Sequence, residues 1–425
     1  MSQEIIYFES YEPVSRRLTV GTTQAPPLEI SQYAHEVEVL DVSHGGLVRV
    51  SLDFTQFARL KTVFFSHNPL TELHPEIVWC PSLMTLGFRS CHIARIAENA
   101  LPTGLHWLIL TDNKLMTLPA SMGKLTQLRK LSLSGNQLTA LPAEMRACRN
   151  LELVRLGANN FKETPEWILT LPQLAWYGGI NHRKSKGGEE DIFDVPYRDV
   201  TLGELIGSSP SSEVWRAMLD KTGQDVAVKI YKGQFTSDGW PEDDMRMSIA
   251  AGANPNLIPV LGKLVGHPEQ KHGLVFEYIP SSFRSLGLPP SLESCTRDTF
   301  PVGTSWSSSF ILRVLRGVAS ACQHLHSKGI IHGDVYAHNI LVNDEGDCYL
   351  GDFGAASFYD RSTERQLEQI EVRAFGYLVE DLLGHSVRQS SLLEQLKNSC
   401  LNPDISARPL FADIISQLHD KTITD

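Results

Sequence analysis

A set of apolar positions recurs at a nearly constant interval through the N-terminal half of the chain. Leu60, Val63, Phe65, Asn68 and Leu70 align with Leu83, Leu86, Phe88, Cys91 and Ile93, and then with Leu105, Leu108, Leu110, Asn113 and Leu115. The register continues through Leu128, Leu131, Leu133, Asn136 and Leu138 to Leu151, Val154, Leu156, Asn159 and Phe161, while Val37, Leu40, Val42, Gly45 and Leu47 make a degenerate first copy. Successive copies start 23, 23, 22, 23 and 23 residues apart. This period leaves few folds open. One copy cannot bury its leucines alone, whereas stacked copies share a continuous apolar core to which each contributes a short parallel strand.

The pattern carries the LxxLxLxxNxL core of the leucine-rich repeat, and residues 35–180 resemble an α/β leucine-rich-repeat solenoid preceded by an N-terminal extension, 1–34. Asn68, Asn113, Asn136 and Asn159 are expected to turn inward and bond backbone groups left open after each strand, with Cys91 substituting in one copy. Pro119 and Pro142 are expected to start returning segments, and Leu174, Tyr177 and Gly179 read as a cap. Strand neighbours alternate sides. Phe64, Arg89, Trp107, Ile109, Lys130, Arg155 and Trp176 therefore fall on the concave face, and Phe64, Trp107 and Ile109 are candidate anchors for a protein partner.

Residues 181–195 are polar, rich in glycine and segregated in charge, with Arg183, Lys184 and Lys186 together, and read as a linker. Beyond them, over 196–420, come five motifs in order: Ile206 to Val214 with Gly207; Val226-Ala227-Val228-Lys229; the apolar run Leu274 to Pro280; His332-Gly333-Asp334 with Asn339; and Asp352-Phe353-Gly354. Each alone is weak, and their order and spacing make the signal.

The order resembles a eukaryotic-type protein kinase, an α+β two-lobed fold that binds ATP and Mg²⁺. The resemblance implies that Asp334 takes or orients the acceptor hydroxyl proton and that Asn339 and Asp352 hold magnesium. Lys229 would reach the α- and β-phosphates. Val214, Ala227 and Leu341 would sandwich adenine beside Gly207, Glu277 and Ile279, with Phe276 at the rear.

Several positions depart from that pattern. Ser209 and Ser212 stand where glycines are usual, implying a looser loop or strained backbone. Asp244, with Glu242 as second choice, replaces the glutamate that pairs with the lysine. Gly333 replaces an arginine that reads a phosphorylated activation loop, so control by phosphorylation there is not expected. Tyr336 stands where Ser/Thr kinases commonly carry lysine. Glu371-Val372-Arg373-Ala374-Phe375-Gly376 resembles the start of the central C-lobe helix only nineteen residues after Asp352, with no Ala-Pro-Glu between. Arg408 thereby lacks its usual glutamate. The insert 281–309 is read as either a cover over the nucleotide mouth or a loose loop.

The net charge of −11 argues against a general nucleic-acid binder. Seven scattered cysteines without a CxxC suggest reduced thiols and a cytoplasmic setting, and no apolar stretch of about 18 residues suggests a membrane span. The expected function is a protein kinase, Ser/Thr-specific, whose repeats select a protein. Two alternatives stand beside it: a pseudokinase scaffold, and a small-molecule phosphotransferase, since His-Gly-Asp with Asn339 also occurs in aminoglycoside-type kinases.

Overall fold

The computed structural model describes residues 8–20, 32–50, 52–73, 75–180, 192–209, 211–233 and 235–419. Most of the linker, including its basic cluster, and parts of the N-terminal extension lie outside the described residues. The chain divides into two compact units, Met1–Leu174 and Ala175–Asp425.

In the first unit a hairpin, β1 (Phe8–Glu12) and β2 (Arg17–Val20), leads into six short strands: β3 (Val39–Asp41), β4 (Thr62–Phe64), β5 (Thr85–Gly87), β6 (Trp107–Ile109), β7 (Lys130–Ser132) and β8 (Leu153–Arg155). From β2 onward they pair in parallel, so that Leu40, Val63, Leu86, Leu108, Leu131 and Val154 form one buried row. Each such side chain contributes about 1.5–3 kcal/mol of burial. The hairpin had no repeat signature and extends the sheet beyond the first copy.

The asparagine ladder is present. Asn113 Nδ2 donates to the carbonyls of Phe88 (2.6 Å) and Leu110 (3.1 Å), and its Oδ1 accepts from Ile93 N–H at 2.9 Å. Asn68, Asn136 and Asn159 repeat the pattern, and the Cys91 thiol faces the Phe65 carbonyl at 3.3 Å. The returning segments are single 3-10 turns, as at Ala120–Lys124 after Pro119 and Ala143–Ala147 after Pro142. A 22- or 23-residue repeat leaves no length for more.

The second unit begins with a strand, β9 (Trp176–Gly178). A six-stranded sheet follows, built from β10 (Asp194–Pro196), β11 (Val200–Ser208), β12 (Ser212–Leu219), β13 (Gln224–Tyr231), β14 (Val260–Val265) and β15 (Gly273–Glu277), in the order β10-β14-β15-β13-β12-β11. Val200, Ala217, Val226, Val228, Leu264 and Val275 fill one face of it. Helix α1 (Pro241–Ala251) lies between β13 and β14 in sequence, with Pro241 in its first turn and Glu242, Asp243 and Asp244 placed to favour its positive end.

The rest is mainly helical. Short strands β16 (Arg284–Ser285), β18 (Ile340–Val342) and β19 (Cys348–Leu350) form one small sheet, and β17 (Ile330–Ile331) pairs with β20 (Ser357–Phe358). Around them are α2 (Ser308–Ser327), capped by Ser307, α3 (Gln366–Gly384), α4 (Ser391–Cys400) and α5 (Phe411–His419). Helix α3 starts earlier than the Glu371 motif suggested. Only thirteen residues, 353–365, separate Asp352 from it. That segment is tied down where Tyr359 and Arg361 both donate to the buried Glu368 carboxylate at 2.7 and 2.8 Å.

The insert 281–309 is neither a nucleotide cover nor a loose loop. Arg297 binds Glu380 at 2.7 Å and also Asp381 on α3, and Trp306 N–H donates to the His385 carbonyl at 2.9 Å. Leu288 and Thr299 bond each other's backbone, closing the loop on itself. Among the described residues, none from this insert lines the cleft described next.

Candidate active site

The sheet and the helical layer of the second unit enclose a cleft of about 360 Å³, lined mainly by apolar groups. Gly207, Val214, Ala227, Lys229, Glu277, Ile279 and Leu341 all line it, as do Phe276 and Asp352. Val214 and Lys229 are partners across β12 and β13, and Ala227 faces Phe276 across β13 and β15, so sheet register brings these residues to one end of the cleft. An apolar slot ending in a few charged groups suits a base carrying phosphates.

Lys229 projects from β13 to the buried Asp244 of α1, with Nζ 2.7 Å from Oδ2 and 3.6 Å from Asp352 Oδ1. Burial opposes the ammonium charge, but the Asp244 carboxylate, with Tyr231 and Asp352, outweighs it and holds the Lys229 pKa well above its ordinary value. Asp352 is pulled below the usual carboxylate range, chiefly by Lys229. Its φ of 60° places a non-glycine residue in the left-handed region, a cost that tends to persist where function requires it.

Asp334 and Asn339 do not line the cleft but are joined to it and to each other. Asn339 Nδ2 donates to the Asp334 carbonyl and to its Oδ2, both at 3.0 Å, and the Asn339 carbonyl accepts from Gly351 N–H at 2.9 Å, one residue before Asp352. His332, fully buried, bonds the Gly351 carbonyl at 2.9 Å and packs on Phe353. Asn339 and Asp352 offer hard oxygen donors. Magnesium bound through one or two such groups together with substrate phosphates fits that donor set.

The serine-bearing loop is not strained. Among its described residues none adopts a positive φ, and Ser209 Oγ accepts from Ser211 and Ser212 N–H at 3.2 and 3.0 Å. Hydroxyls close the turn that glycines close elsewhere; Pro210 lies outside the described residues.

Some contacts around Asp334 were not anticipated. Glu371, 2% exposed, accepts from Gly333 N–H at 2.6 Å and pairs with His326 at 2.7 Å. Asp298 from the insert binds His338 through backbone and ring at 2.9 and 2.7 Å. Arg408 finds backbone carbonyls, those of Asn402 and Gln369, in place of a glutamate, and burial lowers its pKa to about 10. Trp176 is corrected most strongly. Its place in the repeat put it on an exposed concave face, yet it is 1% exposed and stacks on Tyr336 of the Asp334 loop and Tyr377 of α3. Period fixes which side of a strand a residue takes, not what lies over that side. Arg155, expected on the same face, is also buried.

A mainly apolar cleft bordered by a lysine–acid pair, with an Asp/Asn loop beside it, is the arrangement found in the protein-kinase fold. Residues 200–391 match the family described as protein tyrosine and serine/threonine kinase, and residues 103–161 match the leucine-rich repeat family. The chain joins leucine-rich repeats to a protein kinase domain. It is similar to L-type lectin-domain containing receptor kinase IV.3 of Arabidopsis thaliana, 31% identical over 182 residues, which is 42% of this chain and 25% of that protein. It is also similar to L-type lectin-domain containing receptor kinase SIT1 of Oryza sativa subsp. japonica, 30% identical over 192 residues, 44% of this chain and 26% of the relative. The chain thus spans about a quarter of the length of these curated relatives. Among the described residues no helix is long and apolar enough to cross a membrane.

Proposed function

We propose that the chain is an ATP- and Mg²⁺-dependent protein kinase, acting on Ser or Thr hydroxyls of a protein chosen by the repeats. The observation that carries this reading is the joint retention of Lys229, paired to Asp244 and Asp352, and of Asp334 bonded to Asn339. A site free of chemical demand need not keep Lys229, Asp334, Asn339 and Asp352 together. In this reading Lys229 holds the α- and β-phosphates, and Asp334 orients the acceptor hydroxyl and takes its proton. Asn339 and Asp352 would hold magnesium, which would supply charge neutralisation for the phosphates. The protein contributes position and charge, with little covalent chemistry of its own.

The repeats would supply selection. Gly87 leaves room on the concave face, where a Cβ would meet the Phe64 ring at 2.7 Å and Ile109 at 3.6 Å, so Phe64 and Ile109 approach across it. Trp107 is half-buried beside them with Lys130 Nζ 4.1 Å over its ring. Such an apolar patch on a polar face suits a protein partner. All seven cysteines are buried and free, which supports a reducing, cytoplasmic setting.

The test is incubation with Mg²⁺ and γ-labelled ATP, with and without a general protein acceptor, beside Asp334→Asn. Label on protein that vanishes in the variant is expected. A second reading, a small-molecule acceptor, is favoured by the thirteen-residue segment after Asp352. ATP turnover abolished by Asp334→Asn, without protein label, would select it.

A further inference from the structure

The catalytic loop is held from outside the span that the motifs cover. Trp176 Nε1–H donates to the carbonyl of Val335, the residue after Asp334, at 3.0 Å. Its indole lies parallel to the ring of Tyr336, centroids 4.4 Å apart and planes 4° apart, and to that of Tyr377 at 5.2 Å and 14°. Tyr377 is itself backed by the guanidinium groups of Arg297, 4.4 Å from its centroid, and Arg373, at 5.2 Å. Trp176 and Tyr177 are both 1% exposed.

Gly333 makes this docking possible. Its φ is +72°, and a Cβ there would stand 2.5 Å from the Tyr177 carbonyl oxygen and 2.8 Å from that of Ala355. No side chain fits in that space, so the residue that departs from the kinase pattern is the one over which β9 passes. Gly333 N–H is meanwhile held by Glu371 of α3. Asp334 is thus flanked by a residue pinned to α3 on one side and two pinned to Trp176 on the other.

We propose that Trp176 is a positioning residue for Asp334, and that β9 braces the catalytic loop in this chain, where the segment after Asp352 is too short to do so and Gly333 offers no cation for a phosphorylated one. The functional kinase unit then starts at about residue 175, ahead of the linker. This inference rests on the reading of Asp334 as the group that orients the acceptor.

The experiment uses the full chain and compares Trp176→Phe, which keeps a ring for stacking but loses the N–H donor, with Trp176→Ala, which loses both. Leu418→Ala, a core truncation in α5, is the control for simple loss of stability. Turnover is measured well below each melting temperature, together with hydrogen exchange of peptides spanning 331–340. Expected are a kcat about fivefold lower for the Phe variant and on the order of 100-fold lower for the Ala variant, with KM for ATP unchanged. Faster exchange confined to 331–340 should accompany both losses, and neither change should occur in Leu418→Ala. Folded Trp176 variants with wild-type exchange and kcat would overturn the proposal, as would an equal kcat loss in Leu418→Ala. If the wild-type chain shows no transfer that depends on Asp334, the kinase reading fails, while the exchange measurement still decides whether Trp176 braces the loop.

Discussion

Lys229 Nζ sits 2.7 Å from Asp244 Oδ2, an aspartate serving where the kinase pattern has a glutamate. The shorter acid reaches because α1 lies close, leaving Asp244 only 3% exposed. Removing it takes away the nearer carboxylate and leaves the buried ammonium to the longer 3.6 Å approach of Asp352. Asp244→Ala should lose about 3 kcal/mol of stability and lower kcat/KM for ATP on the order of 100-fold. Asp244→Glu should not be benign, since an extra methylene in so tight a site costs about 1 kcal/mol or more. Urea unfolding and ATP titration check both, and a Glu variant at least as stable as the wild type would contradict the packing.

Gly333→Ala should destabilise the second unit by more than about 1 kcal/mol, because the residue is left-handed and its new methyl would meet two carbonyl oxygens. Gly333→Arg, which restores the residue usual in the kinase pattern, should be worse rather than better. Melting curves of the two variants settle the order.

The pair between His338 and Asp298 makes stability depend on pH. Burial works against protonation of His338, but the Asp298 carboxylate, aided by Asp334 and Asp352, raises its pKa above the ordinary value near 6.5. The native state therefore binds the proton more tightly than the unfolded chain. Its contribution is complete below the unfolded pKa and is lost as pH rises through the folded one. Urea midpoints at pH 6 and pH 8 should fall further for the wild type than for His338→Gln; equal falls would remove the charged pair from the account.

Burial pushes the thiols of Cys80 and Cys148 up to about 11 and those of Cys348 and Cys400 up to about 12. Few thiolates exist at pH 8, and those are screened. A chromogenic disulfide reagent should label none of these four quickly in the native protein and all seven cysteines after denaturation. Rapid native labelling at Cys348 would mean that the contact between β19 and α2 opens readily.

Asn113→Ala removes three donated contacts and one accepted bond from a buried turn. A loss of about 2–3 kcal/mol is expected in the melting of the first unit, and Asn113→Asp should restore only the accepted bond.

The sequence by itself determined whatever depends on local spacing. A period of 22 or 23 fixed the parallel strands, the buried leucine row and the inward asparagines, because stacking identical units has one solution. The order of Gly207, Lys229, Asp334, Asn339 and Asp352 identified the kinase domain and its cleft, and Asp244 was legible as the lysine's partner from its place in α1. Tertiary structure alone decided the contacts between segments distant in sequence. Trp176 followed the repeat in sequence and left it in space, Asp298 reached His338 from an insert with no motif, and Arg408 turned to carbonyls once its acid was missing. Such choices rest on which surfaces meet, and on complementarities as small as the missing Cβ of Gly333. A one-dimensional pattern records that glycine but not the carbonyl oxygen lying over it.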